Sequence, residues 1–179
     1  MRKFLQKVLA AACLLAPLSA GATHFSTERV GDILSIALPA YALGRAASED
    51  GWSGTIQFAE LSLATMISSS EIQKLTKAPR PNGHPNGFPS GHAASAFSGA
   101  MFIHKRYGWR QAAIPYVGAA VVGFSRIQSK WHYFYQVAGG AAIAGLWTWL
   151  LVEDGRDSPP PVMLSADPSG ARLDFAIRF

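Results

Sequence analysis

Five apolar segments follow one another along this chain, at roughly 30–47, 55–72, 92–105, 109–124 and 133–152, and they set what it can fold into. None alternates apolar and polar residues with the period of two that a half-buried strand needs. All carry Ala or Gly, so the pattern predicts helices. Gly118, Ala119, Ala120, Gly139, Gly140 and Gly145 let helices approach closely, as they do in membrane bundles. Pro39 falls inside the first segment, where it is expected to kink the helix. Only 15% of the residues are charged, against about a quarter in soluble domains, so the expected fold is all-α: a compact, membrane-embedded bundle of about five helices. The 179 residues suffice for one domain of this kind and not for two. Only the last segment reaches the roughly 20 residues of a comfortable bilayer span.

Both ends of the chain read differently. Arg2, Lys3 and Lys7 precede an apolar run from 8 to 18, and Ala20-Gly21-Ala22 offers small residues for cleavage. That is the layout of a secretory signal. The expected organisation is therefore a signal peptide over 1–22, a helical domain over 23–155 and a tail over 156–179. Export, to the inner membrane with the site facing the periplasm or to the periplasm itself, follows from the leader. The single cysteine, Cys13, lies inside it, leaving the mature chain no disulfide and no cysteine metal site. In the tail, residues 162–165 and 172–179 flank Asp167-Pro168-Ser169-Gly170, which predicts a short β-hairpin.

Charge is unevenly placed. Between Glu71 and Glu153 there is no Asp or Glu, while the same stretch holds Lys74, Lys77, Arg80, Lys105, Arg106, Arg110, Arg126 and Lys130. Such a stretch is built to meet an anion. The cations are interleaved with apolar helices rather than gathered on one polar face, which disfavours nucleic acid and favours a small anion such as phosphate. Counting helices from a periplasmic N-terminus puts the loops at 74–91 and 126–132 on the same, periplasmic side. The basic turn of Lys105, Arg106 and Arg110 then falls in the cytoplasm, as the positive-inside rule requires.

Those two loops carry the chemistry, in "APRPNGHPNGFPSGHAASAF" and "GFSRIQSKWHYFYQVAGG". Arg80 and Arg126 can each fork two N–H donors onto a phosphate. Ser90-Gly91-His92 opens the third helix, whose first amides are unpaired and carry the positive end of the helix dipole; Gly91 lets the backbone come close. Two histidines, His92 and His132, can divide the work, one attacking phosphorus and the other protonating the leaving oxygen. Neither a metal nor a cofactor is required. His84 reads as a solvated loop residue and His104 as interfacial, while His24 has no partner in view. Trp131, Tyr133, Phe134 and Tyr135 around His132 suit a membrane interface.

With these residues in order, the sequence resembles the type 2 phosphatidic acid phosphatases, a family that also includes bacterial acid phosphatases and vanadium haloperoxidases. The family pattern is Lys, six residues, Arg-Pro; then Pro-Ser-Gly-His; then Ser-Arg, five residues, His, three residues, Asp. Arg80-Pro81, Pro89-Ser90-Gly91-His92, Ser125-Arg126 and His132 match it at the right spacing, and "GDILSIALPAYALG" resembles the family's leading helix. The resemblance implies His132 as nucleophile, forming a phosphohistidine, and His92 as general acid and later base. It implies Arg80, Arg126, Ser90 and the Gly91 amide as holders of the phosphate oxygens. It also implies a metal-independent hydrolase acting on a phosphate monoester or diphosphate, with a phosphorylated lipid or a small phosphate ester as substrate.

Two positions depart from the pattern. Gln73 stands where the family has Lys, with Lys74 and Lys77 as nearby replacements; Lys74 is the expected substitute. Gln136 stands where the family has the Asp that orients the nucleophile, and is expected to accept that hydrogen bond without supplying charge. If a carboxylate replaces the missing one, Glu60 and Glu71 are the candidates, Glu60 because an acid in an apolar run is costly, although a polar helix contact is the favoured reading of Glu60 and a solvated one that of Glu71. A phosphotransferase using the same intermediate, a haloperoxidase and a catalytically degenerate phosphate-binding module are the alternatives.

Overall fold

The computed structural model describes residues 26–155, together with the backbone of 162–167 and 170–175. The expected signal peptide lies outside the described residues. Five helices make up the body: α1 (Thr27–Glu49), α2 (Gly51–Thr76), α3 (Gly91–Tyr107), α4 (Trp109–Gln128) and α5 (Phe134–Leu151). Each expected apolar segment becomes one helix, and four of the five helices run past the predicted bounds. The extensions come from polar residues that a hydrophobic pattern does not register, such as the Ser26 cap of α1, whose Oγ accepts from the Arg29 amide. Pro39 and Pro115 both sit inside helices that run on through them.

The third helix is the centre. It packs against all four others, and its inward residues are small: Ala93, Ala94, Ala96, Ser98, Gly99 and Ala100 are buried. Small side chains bring the backbones together, and Gly99 lies where a Cβ would meet the Leu38 backbone at 2.9 Å. Larger residues fill the end remote from the loops of interest, where Phe58, Leu61, Phe102, Ile103 and Val152 form one cluster. Large apolar residues face outward: Ile36, Leu63, Met66, Ile114, Phe124 and Trp149 are all exposed. Among the described residues one helix, α5, is long and apolar enough to cross a membrane.

The tail adds two strands, β1 (Val162–Asp167) and β2 (Gly170–Phe175), whose backbones pair antiparallel with Val162 opposite Phe175. Among the described residues they pair only with each other. The fold that positions the site is all-helical, and a β-hairpin is not supported as an element of it.

Candidate active site

The loop after α2 is pinned before it reaches α3. Lys77 turns the chain with a left-handed backbone, φ 48°. Gly87 N–H then donates to Ala78 O (2.7 Å) and Arg80 N–H to His84 O (2.8 Å), closing the Pro-, Gly- and Asn-rich segment on itself. From α2, Gln73 Nε2 donates to Pro89 O (2.7 Å) and Thr76 Oγ1 to Phe88 O (3.1 Å). Ser90 then caps α3, its Oγ accepting from the Ala93 amide and its own N–H donating to Gln136 O (2.8 Å). That last bond ties the first loop to α5.

The second loop is a tight reversal at the end of α4. The N–H groups of Trp131 and His132 both donate to Arg126 O, at 3.0 and 3.1 Å. The spacing of six between Arg126 and His132 is thus a turn closed on the arginine's own carbonyl, and both residues line the same cavity.

His132 is 4% exposed, and its Nδ1 lies 2.9 Å from Gly87 O and 3.1 Å from Gln136 Oε1. Both oxygens can only accept, so Nδ1 carries the proton and Nε2 keeps its lone pair. Gly87 is needed for this approach, since a Cβ there would come within 2.6 Å of Gln136 Nε2 and 2.9 Å of Arg80 Cγ. Gln136 is fully buried behind the ring. Its Oε1 also accepts from the Tyr133 N–H, and its Nε2 donates to Pro79 O (2.9 Å) and to Tyr135 Oη (3.1 Å). Burial pulls the His132 pKa below 6.5, with Arg80 and His92 adding to the effect and the hydrogen bonds to Gln136 and Gly87 opposing it.

A cavity of about 440 Å³ opens in front of this ring. It brings together Arg80, Gly91, His92, Arg126 and His132, all expected from the sequence, with Gln73, Glu28, Asp32 and Trp131. Arg126 is 4% exposed, and each of its three nitrogens has one partner, leaving a second N–H on each Nη: Nη1 with Asp32 Oδ1 (2.8 Å), Nη2 with Glu28 O (2.6 Å) and Nε with Ser125 Oγ (3.1 Å). Arg80 is freer. One Nη donates to Asn86 O (3.2 Å), and Nε has no partner among the described residues. Its guanidinium lies 5.5 Å from the Trp131 ring centre, and Trp131 is held by Nε1–H donating to Glu28 Oε1 (2.6 Å). His84 stacks on the same indole. Burial, then the Arg126 charge, pulls the His92 pKa down from 6.5, and Asp32 resists this.

Two of the expected site residues, Lys74 and Ser90, do not line the cavity. Lys74 does not reach the cavity: α2 continues to Thr76, so Lys74 is fixed on the helix about 100° round from Gln73, and its Nζ pairs with Glu71 in solvent. Gln73 itself occupies the place beside the cavity. Ser90 is buried behind the cavity as a helix cap. Glu60 is exposed on α2, 13 residues and so about 20 Å before Gln73, and Glu71 is spent on Lys74.

The acids that do reach the site are Glu28 and Asp32, which the sequence motifs do not include. They stand one helical turn apart on α1, which lies against the end of α4 because Gly31 has no side chain; a Cβ there would collide with Ser125 Oγ and Arg126 Nη2. The signal was available, since Asp32 is an acid entering an apolar helix just as Glu60 is.

A family model described as the PAP2 superfamily matches residues 55–158. The chain is 39% identical over 79 residues to the lipid A 4'-phosphatase of Helicobacter pylori, covering 44% of this chain and 38% of that protein. It is 40% identical over 68 residues to the lipid A 1-phosphatase of Porphyromonas gingivalis, covering 36% of this chain and 15% of that one. The matched part thus spans well under half of either relative. In fold it is similar to a transmembrane PAP2-type phosphatidylglycerolphosphate phosphatase from Bacillus subtilis, with a TM-score of 0.51, 17% identity, and coverage of 83% of this chain and 91% of that one.

Proposed function

The chain belongs to the PAP2 superfamily, and we propose that it is a metal-independent phosphatase that cleaves a phosphate monoester or diphosphate of a lipid through a phosphohistidine. The observation that carries this reading is the convergence of His132, His92, Arg80, Arg126 and the start of α3 on one cavity, with Nε2 as the ring nitrogen of His132 left available. Arg80, Arg126 and the Gly91 amide hold the phosphate oxygens and meet the charge that develops on them. Their positive charge stands where a metal would otherwise be needed. His132 Nε2 attacks phosphorus in line, the ester P–O bond breaks, and His92 gives the leaving oxygen its proton. Water then attacks the phosphohistidine, with His92 taking the proton back. Gln136 and the Gly87 carbonyl keep the nucleophile in its reactive tautomer.

A lipid substrate is favoured by the surroundings of His92. A second groove of about 330 Å³ shares Gln73, Gly91 and His92 with the cavity and leads between α1 and α2, past Ile36 and Met66. Both of those are exposed, so an apolar leaving group has a surface to follow on the side where His92 protonates it. The names of the relatives point the same way. Residues 1–22 are proposed as a cleaved export signal, which sets the cavity at the periplasmic face of a membrane with α5 crossing it.

The reading is tested by phosphate release from phosphatidic acid, an isoprenyl diphosphate and p-nitrophenyl phosphate in the presence of EDTA. Release from the lipids, inhibited by vanadate, is expected, with a labelled protein whose phosphate is lost in acid. Tight phosphate binding without release from any of the three would favour the binding-module reading, which Gln73 and Gln136 motivate.

A further inference from the structure

One carboxylate oxygen sits between the two groups that must handle the leaving group and the phosphate. Asp32 Oδ1 is 2.8 Å from Arg126 Nη1 and 3.3 Å from His92 Nε2, with the Asp32 side chain 47% exposed at the cavity wall. Asp32 precedes the stretch matched by the family model, 55–158, and reaches the site only through the packing of α1 on α4. Resting on the phosphatase reading above, we propose that Asp32 is a positioning residue: its carboxylate holds the proton on His92 until the leaving oxygen takes it, which lets the enzyme cleave esters with poor leaving groups.

The charges facing His92 give Asp32 this task. Arg80 comes from the first loop, Arg126 from the end of α4, His132 from the turn beyond it and Asp32 from α1. Glu28 also lines the cavity, but its carboxylate accepts from Trp131. Burial and the two guanidiniums all drive the proton off His92, and Asp32 is the group that favours keeping it.

In the first half-reaction the His132 Nε2 lone pair forms the P–N bond. The electrons of the breaking P–O bond go to the leaving oxygen, which takes the proton from His92 Nε2. In the second, water attacks phosphorus, its proton goes to His92 Nε2, and the P–N electrons return to His132. His92 is thereby charged again beside Asp32. An alkoxide needs that proton in order to leave; a nitrophenolate does not.

The experiment compares the purified full chain in detergent with Asp32→Asn and Asp32→Glu, measuring kcat/KM against pH for phosphatidic acid and for p-nitrophenyl phosphate. Asp32→Asn is expected to lose about tenfold on phosphatidic acid and no more than about threefold on p-nitrophenyl phosphate, with the basic limb of the phosphatidic acid profile moving down by about one pH unit. Asp32→Glu, which restores the charge, is expected to recover most of the loss. Equal losses on both esters with an unmoved limb would overturn the proposal, because Asp32 would then act only by placing Arg126; so would an Asp32→Asn protein matching the wild type. A wild type inert toward both esters removes the phosphatase reading itself, an outcome distinct from either of these.

Discussion

Each end of the bundle holds a nearly buried arginine paired with an aspartate from another helix region, and the two pairs are built to different ends. At the end remote from the cavity, Arg106 (2% exposed) meets Asp50 (12% exposed) through Nη2 at 2.9 Å and Nε at 3.0 Å. Tyr107 Oη adds a third donor to the same oxygen at 2.7 Å, and Gln57 accepts from Arg106 Nη1. At the cavity end, Arg126 is equally buried, but its partner Asp32 is half-exposed and shares an oxygen with His92. Sealed on both sides, an ion pair is a structural joint. Left open on the carboxylate side, the same pair is a seat that an incoming anion can share. Changes at the open end should therefore cost activity, and changes at the sealed end should cost stability.

The largest effect is expected from His132→Ala. Loss of the proposed nucleophile should lower kcat/KM by about 10⁴-fold or more. Thermal unfolding should stay close to wild type, because the ring's contacts with Gly87 and Gln136 lie at the cavity wall. Activity within tenfold of wild type in the purified variant would sink the proposed chemistry.

Next comes Asp50→Ala, at the sealed end. Removing one partner of a buried pair leaves the other charge unpaired and costs about 3–5 kcal/mol, a drop of about 10 °C in Tm for a chain of this size. At 25 °C the surviving folded protein should turn over normally. Asp32→Ala should move Tm by less than about 3 °C, since water fills the open side of its pair. Equal shifts from the two substitutions would erase the contrast between the ends.

How far the sequence revealed each end follows from whether the contacts are local. His132 was legible because its link to Arg126 is a turn of six residues closed on one carbonyl. His92 was legible because Ser90 caps the helix that carries it. Asp32 was not: it meets Arg126 across 94 residues, through a helix packing that no local spacing encodes. The sealed pair was hidden for the same reason, with 56 residues between Asp50 and Arg106. Lys74 failed through phase. A loop beginning at 74 could have turned it inward, but a helix that runs to Thr76 cannot.

A third effect is expected from pH and is confined to the open end. In the proposed chemistry His132 attacks only when neutral, so activity should fall as pH drops through its pKa. His92 as the proposed acid donates only when protonated, so activity should fall as pH rises through its own. Burial pulls both below the usual 6.5. The maximum of kcat/KM should therefore lie on the acid side of neutrality, with a loss of about tenfold per pH unit on the basic limb. A profile level to pH 8 would contradict the assignment of His92 as the acid.

The smallest effect separates two ways of orienting His132. If Gln136 alone fixed the tautomer, Gln136→Leu would be nearly as damaging as removing the nucleophile. The Gly87 carbonyl, at 2.9 Å, is a second acceptor that no substitution at 136 removes. Leucine would still strip the Tyr133 amide of its acceptor and Pro79 O of its donor, one residue from Arg80. Those losses loosen the phosphate loop without releasing the ring, so kcat/KM should fall by about tenfold or less. Gln136→Asp should stay within about threefold of wild type, because the negative charge it brings to the imidazolium is offset by the lost bond to Pro79. Glu60→Gln, exposed and remote on α2, should do nothing measurable. An inactive Gln136→Leu that unfolds at the wild-type temperature would show that the Gly87 carbonyl cannot hold the ring alone. An active Gln136→Leu would place the orienting role on a backbone atom, out of reach of side-chain substitution and so invisible to any pattern of residue types.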